Sequence, residues 1–111
     1  MSAKFELKKA KDGQFHFNLL AGNSQVILTS EMYKAKDSAL NGIESVRKNS
    51  QREGAFEIKT SSNEKHYFVL KATNGQVVGQ SQMYSSLAAC KGGIESVQKN
   101  APAAPLDDQT A

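Results

Sequence analysis

Gly42-Ile43-Glu44-Ser45-Val46 and Gly93-Ile94-Glu95-Ser96-Val97 are the same five residues, 51 positions apart. Self-similarity at a fixed period is the signature of a repeated structural unit. Extending the match outward from these pentapeptides aligns Phe5 with Phe56 and Asn49 with Asn100 without a gap. Roughly 19 of these 45 aligned positions are identical, far above chance for a gapless internal match. Met32-Tyr33 falls on Met83-Tyr84, each preceded by a serine, Ser30 or Ser81, and Phe17 and Leu19 fall on Phe68 and Leu70. The chain is therefore a tandem duplication. Residues 1–51 form a first repeat, 52–101 a second, and 102–111 follow as a tail.

Upstream of each pentapeptide the apolar residues alternate. Phe5-Glu6-Leu7-Lys8 and Phe15-His16-Phe17-Asn18-Leu19 have the period of half-buried strands, as do their counterparts around Phe56 and Phe68. Asp12-Gly13 and Asn74-Gly75 are hairpin-turn pairs, the second read as type I′, with Asn63-Glu64 and Gly22-Asn23-Ser24 in the matching places. Val26-Ile27-Leu28 and Val77-Val78 supply third strands. The period then lengthens: Ala39, Ile43 and Val46, and Leu87, Cys90, Ile94 and Val97, recur at helical spacing, predicting helices near 36–48 and 86–99. Ser85 or Ser86 is the expected N-cap of the second helix, and Asn49 and Asn100 the expected left-handed C-caps. Each helix has one apolar stripe, so each lies on a sheet face. The fold class is α+β: two strand-strand-strand-helix repeats in one antiparallel sheet of about six strands, with both helices on one side. A unit of about 50 residues buries too little apolar surface to stand alone, so the halves are expected to share one core. The tail, with two prolines and no periodicity, is expected to be disordered.

These residues resemble the YegP-like family of small bacterial proteins of unknown function. The resemblance rests on the doubled Ser-x-Met-Tyr and Gly-Ile-Glu-Ser-Val-x-Lys-Asn blocks and on the gapless duplication, and it covers about residues 4–101. It implies one sheet built by two copies with strand exchange between the halves, a role two chains take in single-copy members. It carries no catalytic or binding residue to this chain.

Composition bounds the function further. The chain has 111 residues, 39% hydrophobic and 23% charged, a formal net charge of +3 and one cysteine. A single Cys excludes an internal disulfide, and with two histidines it gives no metal-ligand cluster, so neither metal nor cofactor is expected. The N-terminus lacks the apolar region of a signal peptide, and no run is long enough to span a membrane, so the expected compartment is the cytoplasm, with no membrane partner. Glu44 and Glu95 fit solvated helix faces paired with Lys48 and Lys99 better than an acid–base pair, and no catalytic residue is assigned. Cys90, aligned with Ala39, reads as core, and Tyr33 and Tyr84 as buried rings with accessible hydroxyls. Gly42 and Gly93 cost about 1 kcal/mol each against alanine inside a helix. Their presence in both copies points to a structural role, close approach of the helix to a strand or to the other helix.

If the helices cover the phenylalanine face, Lys8, His16, Lys59, Tyr67 and Lys71 point the other way, and this open face is the candidate binding surface. Three classes of function follow in order. The first is a non-enzymatic, monomeric binding or interaction module with a protein partner. The second is a single-stranded nucleic-acid binder using ring stacking and lysines on the same face, although Glu6 and Glu57 share it. The third is an enzyme on a small anionic substrate.

Overall fold

The computed structural model describes residues 3–52 and 54–110. Met1 and Ser2, read above for a leader, Glu53 in the linker and Ala111 at the end of the tail lie outside the described residues. The elements run β1 (Lys4–Lys9), β2 (Phe15–Leu20), β3 (Val26–Ser30), α1 (Lys36–Asn49), β4 (Phe56–Thr60), β5 (His66–Lys71), β6 (Val77–Gln80), α2 (Leu87–Asn100) and β7 (Leu106–Asp108). They build one seven-stranded sheet in the order β4-β5-β6-β3-β2-β1-β7. Each repeat is an antiparallel meander, and the two meanders meet where β3 pairs antiparallel with β6 through Thr29↔Gln80 and Ser30↔Gly79. Thr29 and Gln80 are equivalent residues of the two repeats, so a pseudo-twofold axis pierces the sheet at this pair.

Alternation places Phe5, Leu7, Phe17, Leu19, Leu28, Phe68 and Leu70 on one face, all with no exposed surface. Ala39, Ile43 and Val46 of α1 and Cys90 and Val97 of α2 close over them. Neither helix stays over its own meander alone. α1 lies on β2 and on β5 and β6, and α2 on β5 and β3. The halves thus share one hydrophobic core, which is the physical consequence of repeats too small to bury their own. On the repeat boundaries drawn from the sequence, the described strands show no exchange between the repeats themselves; β7, in the tail that follows the second repeat, pairs with β1 of the first.

The Ser-x-Met-Tyr motif acquires a physical reading here. After β3 the ladder with β2 breaks and resumes only at the Phe15↔Tyr33 bridge, as it does at His66↔Tyr84 in the second repeat. Ser30 Oγ fills the break. It accepts from the Phe17 amide at 2.9 Å and donates to the Glu31 carbonyl at 2.7 Å. Ser81 does the same for the Phe68 amide and the Gln82 carbonyl, at 2.9 and 2.8 Å. The tyrosine that follows stacks on the buried phenylalanine, Tyr33 on Phe17 at 6.4 Å and Tyr84 on Phe68 at 6.3 Å. Burial pushes both phenols above their ordinary pKa. Gly42 and Gly93 make room for these rings. A Cβ on Gly42 would stand 2.6 Å from the Tyr33 hydroxyl and 2.9 Å from Phe17, and one on Gly93 would overlap the Tyr84 hydroxyl. The close neighbours are therefore a tyrosine of the same repeat and the phenylalanine of β2 or β5 beneath it, so the helix approaches a strand closely at each glycine and not the other helix.

Four further expectations are corrected. Asn49 and Asn100 do not cap in the left-handed region. They complete their helices, each donating from its amide to the carbonyl four residues back, Ser45 or Ser96, and the chain continues in right-handed geometry. Asn74-Gly75 is not a type I′ turn, since only Gly75 has positive φ. A bond from the Gly75 amide to the Ala72 carbonyl and another from the Ala72 amide to the Gln76 carbonyl make it a turn closed by a glycine bulge. Glu44 pairs with Arg47, three residues on, and not with Lys48. Finally, the tail is docked. Pro105 and Gln109 bond the edge of β1, Ala101 and Ala104 are buried, and the Arg47 guanidinium donates to the Ala104 carbonyl at 2.7 Å. Two ion pairs, Lys4–Asp107 at 2.9 Å and Lys36–Asp108 at 2.6 Å, hold β7 parallel to β1. The tail's low hydrophobicity does not release it, because what anchors it is an unpaired strand edge flanked by lysines.

Candidate interaction surface

The face turned away from the helices is crossed by one continuous row, Glu57, Val69, Gln80, Thr29, Asn18, Glu6 and Asp107, one residue from each strand. The candidate residues lie on this face but not together. Lys8 pairs across strands with His16, and Lys59 with Tyr67, at diagonally opposite corners. His16 and Tyr67 are three strand spacings apart and four residues apart along the strands, roughly 20 Å at ordinary sheet dimensions. Both rings are half-buried, and His16 Nδ1 is buried with no hydrogen-bond partner. Lys71 stands opposite Val77, on the same strand as Tyr67 and four residues from it.

The cations of this face are largely matched by acids beside them. Lys8 meets Glu6 at 3.1 Å, Lys71 meets Glu57 at 2.6 Å, and Lys4 meets Asp107. The Lys71 ammonium holds the Glu57 carboxyl below its ordinary pKa, and the Asp107 carboxylate raises that of Lys4. Among the described residues Lys59 has no ion pair. The face is also less open than alternation alone implies, since Leu20 and Val69 are 8% and 3% exposed on it.

At its centre, over the β3–β6 seam, lies a shallow groove of about 380 Å³ lined by Val26, Thr29, Glu31, Gln80 and Gln82, with Ser30 and Ser81 at its floor. Its lining falls into repeat-equivalent pairs: Thr29 with Gln80, Ser30 with Ser81, Glu31 with Gln82. Met32 and Met83, each next in sequence to a lining residue, are equally exposed at 46%. Ser30, Ser81, Met32 and Met83 stand out in the sequence as the doubled Ser-x-Met-Tyr block, whereas Val26, Thr29, Glu31, Gln80 and Gln82 do not. The signal is the 51-residue shift combined with the β3–β6 pairing, and only the structure supplies the pairing. Cys90 is buried, and burial pushes its thiol up. No group of three His, Cys, Asp or Glu among the described residues is placed to hold a metal, and no helix among them is long and apolar enough to cross a membrane.

The family model described as "Domain of unknown function (DUF1508)" matches the chain twice, over residues 10–57 and 61–108. These bounds give the start of β4 to the first copy, so that each copy ends in a strand laid against a segment beyond itself. A UPF0339 protein of Pseudomonas aeruginosa is 68% identical over 110 residues, 99% of this chain and 100% of that one. The UPF0339 protein YegP of Escherichia coli is 50% identical over the same shares. The solution NMR structure of E. coli yegP, described as a protein of unknown function, superposes with a TM-score of 0.94, covering 100% of this chain and 96% of that one at 50% identity. That of a UPF0339 protein of Shewanella oneidensis gives 0.93, covering 99% and 93%, also at 50% identity. With the fold, the duplication and the sequence agreeing over nearly the full length, the chain belongs to the UPF0339 (YegP) family of tandem DUF1508 proteins.

Proposed function

We propose that the chain is a non-enzymatic, monomeric interaction module that binds a protein partner through the outer sheet face, centred on the seam between repeats. The observation that carries this reading is the groove of about 380 Å³ on the pseudo-twofold axis, polar at its centre and bordered by Val26, with Met32 and Met83 exposed beside it. Unbranched methionines adapt to varied apolar partners. Against catalysis, the groove is shallow, and its two serine hydroxyls are committed to backbone amides and carbonyls. Against nucleic acid, three lysines of the face are already neutralised by neighbouring carboxylates, which removes the phosphate-binding contribution such a surface needs. The cytoplasm is its proposed compartment, in keeping with a buried free thiol and no disulfide staple.

The test is affinity capture on the full chain with and without nuclease, repeated with Thr29→Arg combined with Gln80→Arg. Both positions lie on the outer face, so the double variant should melt near the parent while losing the captured protein. Capture that vanishes with nuclease would transfer the face to the nucleic-acid reading. Capture indifferent to both arginines would remove the seam from consideration.

A further inference from the structure

The duplication contains its own control for what covers a strand edge. β1 and β4 are equivalent strands with the same pairing: Phe5↔Leu19 and Leu7↔Phe17 correspond to Phe56↔Leu70 and Ile58↔Phe68. The outer edge of β1 is filled by β7. The Phe5 amide donates to the Pro105 carbonyl at 2.8 Å, and the Gln109 amide to the Leu7 carbonyl at 2.9 Å. Arg47 stacks over the Phe5 ring at 5.2 Å. Beneath this cover Phe5 and Leu7 have no exposed surface. β4 ends the sheet on the other side, and no strand among the described residues pairs with its outer edge. By the same register, Phe56 and Ile58 turn their N–H and C=O groups outward. Both side chains are only partly buried, and Leu87, the equivalent of Lys36, is 44% exposed.

We propose that the β4 edge is a strand-addition site, taking an extended segment of a partner protein in parallel, as β1 takes β7. The chemistry of that segment follows from the residues that differ between the two edges. Lys4, which pairs with Asp107, is Ala55 in the second repeat. Lys36, which pairs with Asp108, is Leu87. The two cations that hold the tail's acidic pair at β1 therefore have no counterpart at β4. The middle position of an added segment faces Glu57, whose carboxylate also pairs with Lys71, and suits a Lys or Arg that shares it. The position after it faces Leu87 and suits an aliphatic side chain. The first lies beside Phe56 and is apolar, as Leu106 is beside Phe5. The segment reads apolar-basic-apolar. Backbone bonding to the open edge supplies affinity, and the alternate side chains supply specificity.

The test uses the full ¹⁵N-labelled chain and two synthetic peptides. One has the sequence of residues 104–110 with Asp107→Lys and Asp108→Leu, and the other has the unchanged sequence. The first should shift the amides of Phe56, Ile58 and Leu87 and slow their hydrogen exchange, and it should bind better than the second. Leu87→Lys, an exposed change that restores the cation of the first repeat, should weaken the first peptide and favour the second, moving their affinity ratio by about fivefold, the scale of one exposed ion pair. Absence of shifts up to millimolar peptide would overturn the proposal. So would shifts centred on the β3–β6 groove or on β1, or an unchanged peptide order in Leu87→Lys. Shifts at β4 that track protein concentration without peptide would make a second copy the occupant and overturn it equally.

Discussion

The pseudo-twofold axis forces one departure from symmetry, and its energetics can be worked out. Leu28 and Gly79 are equivalent residues on the helix-facing side of the seam. A Cβ on Gly79 would lie 2.8 Å from both Cγ and Cδ2 of Leu28. The space at the axis holds one large side chain, and the first repeat fills it. Leu28→Ala removes a fully buried leucine and should cost about 2–5 kcal/mol. Gly79→Ala alone gains about 0.5–1 kcal/mol from lost strand-glycine freedom but overpacks the axis at about 1–3 kcal/mol, a net loss of about 1 kcal/mol. In the double variant the overlap is gone, so the second alanine should restore packing instead of removing it. Guanidinium denaturation of the parent, both singles and the double, with equal m-values, should yield a coupling of about 1–3 kcal/mol in favour of the double. Singles that add to within about 0.5 kcal/mol would refute the idea that the two residues compete for one volume.

The hairpins give a simpler case, since Ser24 and Glu64 hold left-handed backbone, φ 68° and 64°, where the other repeat has Gly75 and Gly13. Ser24→Gly and Glu64→Gly should each stabilise by about 1 kcal/mol in the same denaturation assay. Gly93→Ala should lower the melting temperature despite alanine's better helix propensity, because the Tyr84 ring must move, and a Tyr84→Phe background, which removes the overlapping hydroxyl, should recover part of the loss. Removing residues 102–111 should lower the melting temperature by about 5 °C and expose the β1 amides to hydrogen exchange. Acid should loosen the tail in the intact chain. The Lys36 ammonium and the Thr110 hydroxyl and amide bring the Asp108 carboxyl down from 3.8 to about 2. A depressed carboxylate contributes its full stabilisation above the unfolded value, and that contribution fades as pH falls from about 4 toward 2. Exchange at the Phe5 and Leu7 amides should rise in that window, and Asp108→Asn should show the rise already at neutral pH. Residues 1–52 expressed alone should give a poorly dispersed spectrum, since α1 loses β5 and β6 from beneath it.

Periodicity and repetition made most of this architecture legible. Alternation around Phe5, Phe17 and Phe68 fixed which face is buried, and Ala39, Ile43 and Val46 fixed the apolar stripe of α1. The misreadings share a cause, which is dependence on partners distant in the chain. The tail is poor in apolar residues, and nothing local in Leu106-Asp107-Asp108 reveals that Lys4 and Lys36 await it about 100 and 70 residues earlier, respectively. Lys8, His16, Lys59 and Tyr67 were placed on their face by parity, a local property. Their separation into two corners depends on β3 meeting β6, which no local pattern encodes. For the same reason the groove at Thr29 and Gln80 was invisible, as was the competition between Leu28 and Gly79.

What the two repeats keep in common and what they do not divide along physical lines. Ser30 and Ser81, Tyr33 and Tyr84, Gly42 and Gly93 form one linked device in each half. The serine patches the broken ladder, the tyrosine packs on the phenylalanine whose amide the serine holds, and the glycine admits the tyrosine. Altering one member strands the other two, so both copies retain all three. The differences fall where two equivalent positions meet different surroundings. At the axis, Leu28 faces Gly79 because one volume cannot hold two leucines. At the sheet ends, Lys4, Lys36 and Arg47 serve a tail that Ala55, Leu87 and Gln98 lack. A symmetric pair of chains must use one sequence for both sites in each case. Joining the halves in a single chain removes that constraint, and it leaves this protein with one covered sheet edge, held by its own acidic tail, and one bare edge flanked by apolar side chains.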